Sequence, residues 1–350
     1  MLGKKLRWKH WLFILLAAVL AFSLLAGCGG EAAEDESEEK PLIRFHDGQW
    51  ESLWIENAIA QYIVENGYGY PTETVVLDTT VMQVSLSKGE IHVDMEMWHQ
   101  NYEEWFEENI ANGNLIKCAD ILEGGPQFFM IPQWVHEEYG INTIDDMKEH
   151  WELFKDPEDY TKGAFINCKI GWQCGAINKV KLKAYGLDEY YNIIDTGSGG
   201  AMVAAYTGAM KKHDPVFGYY WAPTALMGMY DWYILEEPEY DAEVWAEIDV
   251  VKEEEHIPKL DAACAYPVNP LVISVHKSLQ DMAPDVVAML KKMTVGLDRI
   301  NKAAAWSLEN DVSNYRETAI WFLGEYEDTW KTWVTTDAYN KIKEALAMED

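Results

Sequence analysis

An α/β chain of two lobes is predicted, and three observations predict it. Strand-like and helix-like segments alternate from Pro41 onward, a late strand at Leu271–Val275 returns after the second alternating block, and the remainder is helical. With 350 residues there is room for two domains. At 49% apolar and 25% charged, the bulk is neither disordered nor fibrous.

The first block opens with a short strand at Leu42–Phe45. Glu51–Asn66 carries Leu53, Trp54, Ala58, Tyr62 and Ile63 at helical spacing and stops at Asn66-Gly67, a C-cap signal. Thr74–Leu77 is a strand, Val81–Lys88 a helix stopped by Gly89, and Val93–Met97 a third strand. A polar helix (Tyr102–Asn112) and a strand near Leu115–Cys118 follow. This order predicts a layered, largely parallel sheet. The second block reads as strands at Phe128–Pro132, Ala164–Asn167, Val216–Trp221 and Val244–Val250, with helices at Thr143–His150, Ala176–Tyr185 and Gly200–Lys211. After Leu271–Val275 come helices at Asp285–Leu297, Ile300–Ser307, Asn314–Leu323 and Thr335–Ala347. The chain should cross between lobes near Glu123-Gly124-Gly125-Pro126 and near Ala263–Pro267. Lobe 1 is then 41–123 plus 267–350, and lobe 2 is 124–266. Ligands of open α/β sheets sit at the carboxyl ends of strands, which between two lobes means the cleft.

The leader sets the compartment. Met1–His10 is basic, Trp11–Ala26 is an apolar run broken only by Ser23, and Leu25-Ala26-Gly27-Cys28 follows. A charged start, a short apolar stretch and small residues before a cut make residues 1–27 an export signal. The cysteine after Leu-Ala-Gly resembles the bacterial lipobox, which implies that Cys28 is the first mature residue and carries a lipid. Residues 28–40 hold six acids and form a solvated tether. The mature protein is expected outside the cytoplasmic membrane, where disulfides are permitted. Four cysteines remain, Cys118, Cys168, Cys174 and Cys264, and four allow three connectivities. The spacing of Cys168 and Cys174 suits a staple across a turn.

Charge and motif content exclude several classes. Acids outnumber bases 59 to 28, and such a surface repels nucleic acid and anionic lipid. There is no CxxC or HxxxH pair for a metal, and no Walker motif, dinucleotide fingerprint or Gly-x-Ser-x-Gly elbow. No cofactor and no enzymatic activity are expected.

The 16 tryptophans are the compositional excess. Three follow predicted strands: Trp98, Trp172 and Trp221. Three aromatic faces in one cleft suit a quaternary ammonium, which has no hydrogen bond to donate; at roughly 0.5–2 kcal/mol per face they contribute about 2–6 kcal/mol. Micromolar binding needs about 8 kcal/mol. Further groups must supply the rest. The competing reading is a secreted carbohydrate-binding or carbohydrate-active lipoprotein whose tryptophans stack on sugars, although Met97, Gly171, Ala222 and Pro223 are poor hydroxyl partners.

Cys168–Asn178 with Gly171-Trp172-Gln173-Cys174-Gly175 at its centre, Tyr219-Tyr220-Trp221-Ala222-Pro223, and Met97-Trp98 resemble the signature segments of the glycine-betaine-binding proteins of ABC importers. Tyr230-Asp231, Leu235–Pro238 and Trp321-Phe322-Leu323 fit the same pattern, over about Ile43 to Leu346. The resemblance implies a two-lobe periplasmic-binding-protein (Venus-flytrap) architecture that closes on a quaternary ammonium osmolyte and delivers it to a membrane permease. It implies a cage of Trp98, Trp172 and Trp221, a Cys168–Cys174 disulfide, and a ligand carboxylate on the backbone amides of Gln173 and Cys174. Some members use a histidine for the carboxylate, where this chain has Tyr102 and Leu226. His99, beside Trp98, and Asn101 are further candidates, Asn101 alternatively capping the Tyr102–Asn112 helix. Trp50 and Glu51, after the first strand, are placed on the wall of lobe 1. Cys118 and Cys264 fall near the two crossings, and a second bridge between them would tie the crossings together.

Overall fold

The computed structural model describes residues 40–252, 254 and 256–349. The predicted export signal, the lipid-bearing Cys28 and the tether as far as residue 39 lie outside the described residues. From Lys40 onward the chain makes one compact unit.

Among the described residues ten strands form two sheets. In chain order they are β1 (Ile43–Asp47), β2 (Thr72–Val76), β3 (Val93–Met97), β4 (Leu115–Leu122), β5 (Gln127–Pro132), β6 (Gly163–Lys169), β7 (Tyr191–Thr196), β8 (Gly218–Trp221), β9 (Trp232–Ile234) and β10 (Leu271–His276). The first sheet runs β2-β1-β3-β10-β4 and the second β7-β6-β8-β5-β9. One lobe is built on each sheet. The chain leaves the first after β4, through residues 123–126, and comes back with β10. The two connections are neighbours, because the Gly125 N–H donates to the Asn269 carbonyl at 3.1 Å.

The sheets are mixed rather than largely parallel. β1 lies parallel to β2 and β3, whereas β10 runs antiparallel to both β3 and β4. In the second sheet β6 is parallel to β7 and β8, while β5 is antiparallel to β8 and β9. Each reversal involves the strand at a crossing, where the chain enters from the other lobe. β3 and β10 are buried along their whole length. Helix Glu51–Ile63 covers one face of the first sheet and is in turn packed by helices Leu297–Glu309 and Tyr315–Glu325.

Four local readings change. Val244–Val250 is not a strand but part of helix Ala242–Val251, whose first turn is capped by the Asp241 carboxylate accepting from Glu243 and Val244 N–H at 2.9 and 3.1 Å. Trp245, Ile248 and Val251 are its buried face, a helical spacing hidden by β-branched composition. Thr143–His150 is not a helix: Thr143 bridges Glu236, and only Asp145–Lys148 makes a 3₁₀ turn. Strands β7 and β9 sit at sheet edges, where half-exposed residues give no clean apolar run. Helix Gln133–Tyr139, ended by Gly140 at φ 70°, was likewise too short to stand out.

Of the cysteines, Cys168 and Cys174 form a disulfide with Cα atoms 6.5 Å apart. Cys118 and Cys264 are free. Cys118 lies within β4 rather than at the crossing, and the Cys264 thiol packs against the Asp241 carbonyl at 3.6 Å.

Candidate functional site

Four tryptophans are delivered to one place by strand ends. Trp98 directly follows β3, and Trp221 is the last residue of β8. Trp50 and Trp172 each sit at the cap position where the loop after β1 or β6 turns into a helix, Glu51–Ile63 or Gln173–Ala184. Trp50 and Trp172 meet edge to face, with ring centres 5.8 Å apart at 86°. Trp172 and Trp221 repeat that geometry at 5.3 Å and 85°. Two right-angle junctions in series leave faces on several sides of one space. Tyr219, two residues before Trp221 on the same strand face, lies nearly parallel to it, with ring centres 6.2 Å apart.

These rings line a cavity of about 50 Å³. A single water needs about 10–15 Å³ on the same measure. His46, Thr79, Met82, Tyr102 and Trp98 contribute from the first lobe; Gln127, Gln173 and Cys174 contribute from the second. Gln127 reaches the site because β5 runs antiparallel to β8, which sets its first residue opposite Trp221. Its side chain exchanges hydrogen bonds with Asn101, at 3.0 and 3.2 Å, and accepts one from the Tyr219 hydroxyl at 2.8 Å.

Contacts between the two lobes gather around the cavity. Trp172 Nε1 donates to the Gly48 carbonyl at 2.8 Å, and Thr79 N–H donates to the Gly171 carbonyl at 3.2 Å. Lys169 is ion-paired with Asp78, and Lys252 donates to the Asn101 carbonyl at 2.5 Å. Each of these contacts links a residue of one sheet's lobe to the other's.

Behind the wall of the first lobe lies a buried acidic group. Asp94, Glu96 and Trp98 alternate and share one face of the β3 segment, and Trp98 Nε1 donates to Glu96 Oε1 at 3.0 Å. His46 lies with Nδ1 3.1 Å from Asp94 Oδ2 and Nε2 3.0 Å from the Leu77 carbonyl, which can only accept, so Nε2 carries a proton. Burial opposes a charge on the ring, but the Asp94 carboxylate and the Leu77 carbonyl hold the ring above its ordinary value. Burial pushes the Glu96 carboxyl up to about 7, against hydrogen-bonding groups on Ser52, Trp50 and Trp98 that work the other way. Burial and the neighbouring Glu96 push Glu56 well above the ordinary range.

Comparison with known proteins now decides the family. Residues 42–325 match the OpuAC family model, the substrate-binding domain of the ABC-type glycine betaine transport system. The chain belongs to that family. Solved structures share its fold at low identity. A glycine betaine, L-proline ABC transporter binding protein (ProX) from Borrelia burgdorferi is 17% identical, covering 86% of this chain and all of that one, with a TM-score of 0.67. An ABC-transporter choline-binding protein in complex with choline is 20% identical over 87% of this chain and 98% of that one, TM-score 0.68. Lactococcal OpuAC, closed and complexed with glycine betaine, is 15% identical over 85% of this chain and all of that one, TM-score 0.65.

Within this substrate-binding protein, the residues named from sequence fall as follows. Trp50, Trp98, Trp172, Trp221, Asn101, Gln173 and Cys174 all line the one cavity. His99 does not: its ring stacks on Phe106, with centres 4.9 Å apart, and turns away from the space. Asn101 does not cap the following helix, which begins at Glu103 without a side-chain cap; its side chain is engaged by Gln127 instead. Glu51 is also outside the lining, its carboxylate being taken by the Ala225 N–H and the Tyr315 hydroxyl. Leu226 is buried away from it. Sequence reasoning missed His46, Thr79, Met82, Gln127 and Tyr219. Only Tyr219 carried a local signal, the two-residue period it shares with Trp221. Among the described residues no helix is long and apolar enough to cross a membrane, and no cluster of three or more His, Cys, Asp or Glu could hold a metal ion.

Proposed function

We propose that this chain is the lipid-anchored receptor of an importer and that it holds a quaternary ammonium osmolyte, glycine betaine or a choline-like relative, inside the tryptophan cage. The observation that carries the reading is the right-angled series Trp50, Trp172, Trp221, joined by Trp98 around a single cavity. Methyl groups on a permanently charged nitrogen spread its charge over a surface that offers no hydrogen bond, and electron-rich ring faces are the partners that lose least by leaving water. A carboxylate on the ligand would meet the start of helix Gln173–Ala184, where the dipole and the first amides favour negative charge.

Closure follows from the same arrangement. Trp50 and Trp98 belong to one lobe, Trp172 and Trp221 to the other, so the cage is complete only when the lobes meet, with the 123–126 and 263–270 connections as the hinge. The closed form is the one a membrane permease would take. Cys28, as the lipid-bearing first mature residue, would keep the receptor at the outer face of the membrane.

A ligand panel read by intrinsic fluorescence and thermal shift tests this. Choline and glycine betaine should each shift the melting temperature upward and perturb tryptophan emission, with about 2.7 kcal/mol added at a hundredfold excess over Kd. A response to oligosaccharides alone would replace the osmolyte by a sugar.

A further inference from the structure

We propose that Glu96 is a specificity-determining residue of this site: its carboxylate, seated on the Trp98 indole N–H, supplies the buried negative charge that favours a permanently cationic guest, and its protonation weakens binding. The inference rests on the cage reading above and goes beyond it, because Glu96 lines no part of the cavity.

The geometry comes first. Glu96 is completely buried, and one of its oxygens accepts from Trp98 at 3.0 Å while the other has no hydrogen-bonded partner. The buried Trp50 Nε1 and Ser52 hydroxyl face the same carboxyl. Thus Glu96 stands behind two cage walls at once, against the polar edges of their indoles. An anion on an indole N–H enriches the ring's π-face, and in a poorly screened interior its charge also acts directly on a cation beyond that ring.

The surrounding charges leave Glu96 as the group that changes. On its own strand Asp94 is paired with His46 of β1. Asp94 Oδ1 also accepts the Glu96 backbone N–H at 3.1 Å. Helix Glu51–Ile63 sends Ser52 and Glu56 inward, and both Glu56 oxygens are buried without a hydrogen-bonded partner. β10 sets Ser274 opposite Asp94, and its titratable His276, at the far end of that face, is engaged by the Ser278 hydroxyl at 2.8 Å. Two carboxyls in one dry interior disfavour ionising together, and burial and the neighbouring Glu96 hold Glu56 well above the ordinary range. Glu96 is left to titrate near neutrality.

The sign follows by linkage. A cation in the cage stabilises the ionised form of Glu96 and lowers its proton affinity, so binding near neutral pH expels a proton. Equivalently, affinity falls as pH drops through the value of the ligand-free protein.

The test is isothermal titration of the full chain with choline and with its uncharged isostere 3,3-dimethylbutan-1-ol. Choline should bind about tenfold more weakly at about pH 5.5 than at about pH 8.5, and the apparent enthalpy near neutrality should depend on the buffer's ionisation enthalpy, reporting proton release. The isostere should show neither effect. Glu96→Gln, which keeps an acceptor for Trp98, should bind choline about tenfold more weakly at high pH and abolish the pH slope. Glu56→Gln, which replaces a strongly raised acid by a neutral amide, should keep the slope. Choline binding that is independent of pH and of buffer, or full affinity in folded Glu96→Gln, would overturn the proposal and leave the cage intact. Failure of both choline and glycine betaine to bind wild-type protein at any pH would remove the cage reading itself, and this proposal with it.

Discussion

The indole N–H of Trp172 reaches across the cleft to the backbone carbonyl of Gly48, 2.8 Å away, so one ring both walls the cavity and fastens the two lobes. In the proposed cage, that dual use would make enclosing the ligand and closing the lobes one event.

Trp172→Phe separates the two roles. Phenylalanine keeps an aromatic face but cannot donate, leaving the Gly48 carbonyl without its partner. Affinity for choline should fall by about five- to tenfold, the effect of about 1 kcal/mol expected for one hydrogen bond. The melting temperature of the ligand-free protein should stay nearly unchanged, since the bond joins lobes rather than filling a core. Calorimetry of the variant checks both.

Gly48 is fixed by its neighbour rather than by its backbone angles. A Cβ there would stand 1.8 Å from Trp50 Cζ3 and 2.5 Å from Cη2. In Gly48→Ala the indole has to swing aside, which removes one cage wall. Ligand affinity should drop by about three- to thirtyfold, the worth of a single cation–π face. Fluorescence titration measures the loss, and circular dichroism should show an unchanged fold.

The Cys168–Cys174 bridge closes a short loop that carries Trp172, and Cys174 itself lines the cavity. Replacing both cysteines by serine should lower stability to urea by about 2 kcal/mol, the loop-closure contribution for so short a segment. Binding should weaken as well, because the loop that aims Trp172 is released.

The acid pair predicts an unusual stability profile. Glu56 and Glu96 bind protons more tightly when folded than their ordinary value of 4.5 allows in the unfolded chain. Native protein therefore holds the extra protons, and stability falls as pH rises above about 4.5, the Glu96 share of the fall ending near 7. Glu56→Gln should flatten that fall and raise the urea midpoint at pH 8. An unchanged slope would mean that the pair is not the source.

Much of this was legible in the sequence because strand ends announce themselves. Trp221 ends an apolar run, Trp98 ends an alternating strand, and Gly171-Trp172-Gln173-Cys174 marks the turn into a helix. What was not legible depends on register and on distance along the chain. Gln127 becomes a wall residue only because β5 is antiparallel to β8. Glu56 and Glu96 lie on a helix and a strand far apart in sequence, and neither residue type reads as core. Val244–Val250 went astray for a local reason: a Val- and Ile-rich run imitates a strand, while the Asp241 cap and the spacing of Trp245, Ile248 and Val251 make it a helix.

The most direct test of the central claim is a calorimetric titration of choline and glycine betaine into the wild-type protein and into Trp98→Ala, Trp172→Ala and Trp221→Ala. The cage account predicts saturable binding by the wild type. It also predicts a loss of about three- to thirtyfold in each folded variant, one face at a time. Dissociation constants that stay the same after all three replacements would contradict it.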